Sequence, residues 1–399
     1  MIRSSWSPVR LAIYLAFFTN GFLTGTWIVH IPRIKQALGA SDGELGLLLW
    51  GATVGLLGGI ILSGPLLGRL GSRRLTGFGA MAQAIGTIAP VVAENRVALF
   101  AGLCVYGFSS ALLDVAQNAQ ASHLERESGR SLMSSFHAFW SFGGFGGGAV
   151  GGLLMSWSVA PWVHVSGCAI VFLLVAAWIL RVLPEVAADR QQGGGVTFAV
   201  PSGPLFPLAA VCYLAMFAEL AIADWSGVLL RTELKVAAPT AAIGYTAFLL
   251  AMVGARLVGD RIVEAFRPVA TVALGLILAA SGLALAVFAK NLPLAATGFA
   301  FAGFGLGNAV PILFSAAGQI GRPTVAYAIA AVASAGYSGT FTGPAIVGGL
   351  AQWLSLPTAM LAVVSGILIA LVITVGPVRV SLNAPRRSKR IDSTLQSRQ

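Results

Sequence analysis

Asp114, Gln117 and Asn118 stand at i, i+3 and i+4 in an apolar run that begins near Val97 and ends at the charged pair Glu125 and Arg126. On a helix these three side chains share one face. Asp114 lies roughly 15 Å from that charged exit at ~1.5 Å per residue, half the depth of a bilayer core. A carboxylate at the midplane costs roughly 2.5–3.5 kcal/mol on insertion scales. Its face therefore avoids lipid and lines a wet cavity or a polar helix junction, and carboxylates so placed commonly mark a solute or proton path. The plainer alternative is a neutral, hydrogen-bonded carboxyl that serves helix packing.

The elements that must position this face are membrane helices. The chain has 399 residues, 57% hydrophobic and 10% charged, with 49 Gly. A soluble domain carries about 25% charged residues, so an integral membrane protein with short connections is expected. Cys104, Cys168 and Cys212 fall inside apolar spans with no metal-ligand or disulfide spacing. No metal or cofactor is expected. The first apolar run follows Arg3 and Arg10 but ends at Ile31-Pro32 without a small-residue cleavage site, which reads as an uncleaved span.

Twelve apolar spans are expected, at 9–30, 43–66, 75–93, 97–122, 131–157, 161–182, 205–229, 240–259, 268–289, 292–316, 325–351 and 356–378. The fold class is thus all-α membrane protein, because open strands cannot satisfy their backbone in lipid. With the N-terminus inside, the outer side carries only Arg33, Lys35, Arg96, Arg231, Lys235 and Lys290 of the 25 Lys and Arg. This asymmetry places both termini in the cytoplasm, and it explains the net charge of +11 without nucleic acid. The basic tail Arg386, Arg387, Lys389 and Arg390 either meets anionic headgroups or is simply solvated.

The longest internal connection contains Gly193, Gly194 and Gly195 and divides the chain into 1–182, a cytoplasmic loop 183–204, 205–379 and a tail 380–399. The halves resemble one another. At an offset of 196, Gly107-Phe108 falls on Gly303-Phe304, and Phe145, Gly147, Ala149, Gly152 and Leu154 fall on Phe341, Gly343, Ala345, Gly348 and Leu350. At an offset of 199, Phe18 and Asn20 fall on Phe217 and Glu219. Parallel six-helix repeats with a site between them are expected.

The second span exits as Gly64-Pro65-Leu66-Leu67-Gly68-Arg69-Leu70-Gly71-Ser72-Arg73-Arg74. This resembles the loop signature of the major facilitator superfamily, with Gly68 where the family has Asp. Gly259-Asp260-Arg261 is its counterpart in the second half. The resemblance implies a conformational latch built from Gly64, Arg69, Gly71, Arg73, Arg74, Asp260 and Arg261. Arg256, one turn inside, is expected to snorkel or to pair with Asp260. Trp27-x-x-His30-Ile31-Pro32-Arg33-Ile34-Lys35, Leu113-Asp114-Val115-Ala116-Gln117-Asn118, Glu125-Arg126-x-x-x-Gly129-Arg130 and Met133-Ser134-Ser135-Phe136-His137 look like the fucose-permease-like branch and its bacterial inner-membrane members. That resemblance implies twelve helices in two pseudo-symmetric bundles, a monomer, and proton-coupled alternating access for a small-molecule solute. The glycines Gly143, Gly147, Gly148, Gly151 and Gly152 are close to a pattern of facilitator exporters and also permit tight helix packing.

In the superfamily, helices one, four, seven and ten line the cavity, which brings Asn20, Thr24, Asp114, Glu219 and Asn308 to it. Asp114 and Glu219 suit a pair in which one takes a proton and the other helps hold cargo. His137, with Ser134 and Ser141 on its face, is a candidate relay to Asp114, since imidazole titrates near neutrality. A satisfied packing histidine is the equal alternative. Proton coupling is thus assigned to Asp114, Glu219 and His137. Solute contact is assigned to Asn20, Thr24, Trp27, Gln117, Asn118, Trp140, Ser141, Asp224, Asn308 and Tyr337, with a cap or gate as the alternative for Asp224. His30, His123 and His164 stand at span ends and are expected at the interface. The expected activity is proton-coupled transport of a polar, sugar-like solute. A proton-driven exporter and a non-transporting sensor on the same scaffold are the alternatives. No nucleotide loop or nucleophile–base spacing suggests an enzyme.

Overall fold

A computed structural model describes residues 7–128, 132–185, 200–203, 205–320 and 325–378. The central loop from 186 to 199 and the basic tail from 379 lie outside the described residues, as do Gly129, Arg130 and the side chains of Arg126, Ser134 and Asp260.

The described chain is helical almost throughout: α1 (Pro8–Ile28), α2 (Ile31–Ala37), α3 (Asp42–Gly86), α4 (Ile88–Val91), α5 (Arg96–Ser128), α6 (Met133–Ser156), α7 (Pro161–Val182), α8 (Leu205–Glu233), α9 (Ala238–Phe266), α10 (Pro268–Phe288), α11 (Leu292–Leu306), α12 (Ala309–Ile320), α13 (Val325–Trp353) and α14 (Leu356–Ile373). Proline occupies the first turn of α1, α2, α7, α9, α10, α11 and α14. There its missing N–H costs nothing and its fixed φ suits a helix start. The Ser41 hydroxyl and the Glu44 carboxylate cap α3 reciprocally.

Among the described residues nine helical stretches are long and apolar enough to cross a membrane. One of them, Asp42–Val91, is 50 residues long. A straight helix of that length would reach ~75 Å, more than twice a bilayer core. It turns back at Gly71, whose φ of 77° and ψ of 161° leave the helical region. Glycine adopts that conformation at little steric cost, so the latch motif is also the bend that joins the two halves of α3. The glycine-rich α6 and α13, 24 and 29 residues long, fall outside that set of nine.

The helices form two bundles. In the first, α1 packs on α6, α3 on α5, and α7 on α3 and α1; in the second, α8 packs on α13 and α14, and α10 on α11 and α14. The bundles meet where α6 lies along α9 and α3 along α13. Small residues make these seams possible. Gly46 on α3 sits against the backbone at Pro344 and Gly348 on α13, where a methyl group would overlap main-chain atoms. On α6, Gly148 receives the Tyr245 ring of α9. The Trp50 indole donates to the Phe341 carbonyl at 2.7 Å, the Gly43 amide donates to Gln352 Oε1 at 3.2 Å, and Arg231 bonds Gln36. These contacts all lie at the end where α3 begins and α13 finishes.

Candidate transport site

Asp114 sits mid-way along α5 and is partly exposed. Gln117 Nε2 donates to its Oδ1 at 3.1 Å. Asn118 Nδ2 donates to the same oxygen at 3.2 Å and to the Asp114 carbonyl at 2.8 Å. One carboxylate oxygen is thus held by two amides, and the other is not engaged by any hydrogen bond among the described residues. Gln117 is fully buried, so it positions Asp114, whereas Asn118 is partly exposed beside it. Tyr337 of α13 lies within electrostatic range of Asp114.

Asn20 is 3% exposed and its Oδ1 accepts from Trp140 Nε1 at 3.2 Å, Gln83 Nε2 at 3.4 Å and Ser110 Oγ at 3.4 Å. It therefore ties α1 to α3, α5 and α6. Thr24 bonds the Asn20 carbonyl and the Tyr106 hydroxyl at 2.8 and 2.7 Å, and the buried Trp27 packs edge-on against Tyr106. Gln83, Ser110 and Tyr106 were not singled out from sequence. Only Ser110 carried a signal, one turn before Asp114 on its helix.

Glu219 on α8 faces Arg256 on α9, with Nη2 and Oε1 3.8 Å apart and the two side chains only 23% and 15% exposed. Arg256 also donates through Nε to the Gly307 carbonyl at 3.1 Å and through Nη1 to Ser141 on α6 of the other bundle. Arg256 thus points inward and does not snorkel, because the break between α11 and α12 frees the Gly307 carbonyl for its guanidinium; the side chain of Asp260, the other expected partner, lies outside the described residues. His137 is exposed, stands edge-on to Phe17 at 5.0 Å, and is not hydrogen-bonded to Asp114 among the described residues. Asn308 donates to the Ala255 carbonyl of α9 at 2.8 Å. Asp224 is 6% exposed and faces a small void between α8, α9 and the α1–α2 joint.

The interfacial reading of His30 and His164 is also corrected. Both are buried, and His30 Nε2 lies 3.0 Å from His164 Nδ1. His123 stays near the surface, 3.3 Å from Glu127.

In the latch, Gly68 has open space around it, and Arg69, Arg74 and Arg261 are exposed. Arg73 donates from Nε to the Leu180 carbonyl at 2.8 Å, and its Nη1 lies 3.9 Å from Glu185. Glu185, beyond the end of α7, brings a carboxylate to a latch that has none at position 68. Gln120 reinforces the corner with bonds to Ser72 Oγ at 2.9 Å and the Pro184 carbonyl at 3.1 Å. Among the described residues no cluster of His, Cys, Asp and Glu could hold a metal ion.

Two packed bundles of long apolar helices with polar residues at their junction are the architecture of a membrane transporter. The Major Facilitator Superfamily model matches residues 13–320, and the chain belongs to that family. It is 31% identical over 355 residues to an uncharacterised transporter of this type from Yersinia pestis, covering 88% of this chain and 91% of that one. It is 29% identical over 366 residues to the membrane protein MosC of Rhizobium meliloti, covering 90% and 88%. Among solved structures it is similar to a bacterial homologue of the human lysosomal transporter Spinster, inward-facing and occupied, with a TM-score of 0.74, 16% identity and coverage of 94% and 98%. It is also similar to the nucleoside transporter NupG, with a TM-score of 0.72, 12% identity and coverage of 92% and 98%. At those identities the likeness is one of fold. The protein is a transporter and not an enzyme.

Proposed function

We propose that this chain is a proton-coupled secondary transporter that moves a small polar, sugar-like solute across the cytoplasmic membrane by alternating access. The observation that carries this reading is the Asp114 cluster. A carboxylate with one oxygen fixed by Gln117 and Asn118 and the other free, part-open to a gap between bundles, can bind a proton or a solute hydroxyl. Twelve crossings follow if α3 counts twice and α6 and α13 also span, with α11 and α12 together forming one. Both termini are then cytoplasmic and the monomer is the working unit. In that orientation the bundles are joined at their outer end, and the exposure of His137 toward the other end fits an inward-open state.

Solute contact belongs to Asp114, Asn118, Trp140 and Tyr337, with Asn20, Thr24, Trp27 and Gln117 supporting them. Glu219, Arg256 and Ser141 join the bundles beside the site. The glycine seam of α6 favours a second reading, proton-driven export, because it is close to the exporter pattern, with Gly148 in place of that pattern's proline. The test is uptake into proteoliposomes with an inward proton gradient, offering neutral sugars and polyols beside lipophilic cations. Gradient-driven entry of a neutral polar solute supports the proposal; extrusion of cations with no movement or binding of polar solutes refutes it.

A further inference from the structure

Among the described residues, Asp224 is the one strongly buried carboxylate at the junction that closes the bundles together. It is 6% exposed, and no hydrogen bond or ion pair engages it among the described residues. The void it faces is walled by Ile28, Val29 and Pro32 from the first bundle and by Gly227, Ala242 and Tyr245 from the second. The opposing bundle thus offers it only apolar surface. A permanently closed core satisfies a carboxylate so placed, whereas a surface that reopens to water need not.

From this geometry we propose that Asp224 is a proton-binding site of the outer gate, which must take up one proton from the adjoining water before the bundles close over it. A bare carboxylate in this junction would be desolvated with no counter-charge, which strongly opposes closure, whereas the neutral acid needs only a modest partner. When the gate opens, water reaches the carboxyl and it releases the proton to the same side. The titratable groups around it are Tyr245 on α9, His30 at the α1–α2 joint with its partner His164 on α7, Arg33 on α2, and Glu219 on α8 itself; none is bonded to Asp224. The sign follows from linkage. The closed form holds one more proton than the open form, so raising the pH favours opening, by at most about ten-fold in the closed-to-open ratio per pH unit for one proton. Asp224 is thereby separated from cargo binding, and the proposal stands whatever the solute is.

The test needs no cargo. Nitroxides are placed at Ala37→Cys on α2 and Glu233→Cys at the end of α8, both exposed, in full-length protein whose three native cysteines are replaced by Ala. Distance distributions are measured in nanodiscs across pH 5–9. The parent should lose the short-distance population as pH rises, while Asp224→Asn stays closed at every pH. Asp224→Ser, which also cannot ionise, is the second variant should Asn fold poorly. A pH-independent parent overturns the proposal, as does either variant keeping the parent's pH dependence. Loss of that dependence in His30→Gln with Asp224 intact assigns the proton elsewhere and overturns it too.

Discussion

Arg256 donates to Ser141 across the seam between the bundles while its charge faces Glu219 at 3.8 Å. One side chain therefore couples the acid of α8 to the bundle that carries Asp114. Removing a partner from a buried pair costs more than the pair contributes, because the remaining charge is stranded. Arg256→Gln should destabilise the protein by about 2–4 kcal/mol, and Arg256→Met with Glu219→Leu should recover most of that loss. Thermal unfolding in detergent checks the stability, and uptake should stay abolished in both. Full transport by the double variant would remove this pair from the cycle.

Asp114 is the candidate carrier of the coupling proton. Asn resembles the protonated acid in shape and charge, so Asp114→Asn should lose uphill accumulation while keeping solute counterflow. Both are read in proteoliposomes with and without a proton gradient. Normal gradient-driven uptake by this variant would pass the role to Glu219.

Asn118 is part-open beside Asp114 and fixes its Oδ1. Asn118→Leu should raise the half-saturation concentration for a neutral polar solute about 5- to 150-fold, the equivalent of about 1–3 kcal/mol for one hydrogen bond left unmade. An unchanged value would place the solute elsewhere in the gap.

Gly348 and Gly46 touch backbone to backbone where α13 meets α3. A side chain there forces the two bundles apart at that end. Gly348→Leu should therefore raise cysteine labelling at Leu45→Cys, a buried position on α3, by at least several-fold without loss of folded protein. Equal labelling in parent and variant would mean that this seam does not open.

Orientation rests on the distribution of Lys and Arg. Reporter fusions after Arg190 and Arg390 should report cytoplasm, and one after Lys290 the outside. Any inversion in that set breaks the twelve-crossing arrangement.

Hydropathy and helical periodicity are properties of short windows, so the sequence alone determined the all-helical membrane fold, the repeat of Gly107 on Gly303, and the shared face of Asp114, Gln117 and Asn118. The latch hairpin was equally legible, because Gly71 needs nothing beyond its own backbone freedom. Tertiary structure decided the partners. Ser141 and Arg256 are 115 residues apart in sequence, and His30 and His164 are 134 apart. Whether Asn308 faces the gap or clamps Ala255 depends on the break after α11 and on the rotation of that helix in its bundle. Asp224 sits in a helix scarcely more polar than its neighbours; only the closing of one bundle on the other makes it a carboxyl without a partner. A helix's sequence sets which residues share a face, but the direction that face points is set by packing energies summed over both bundles, which no local window contains.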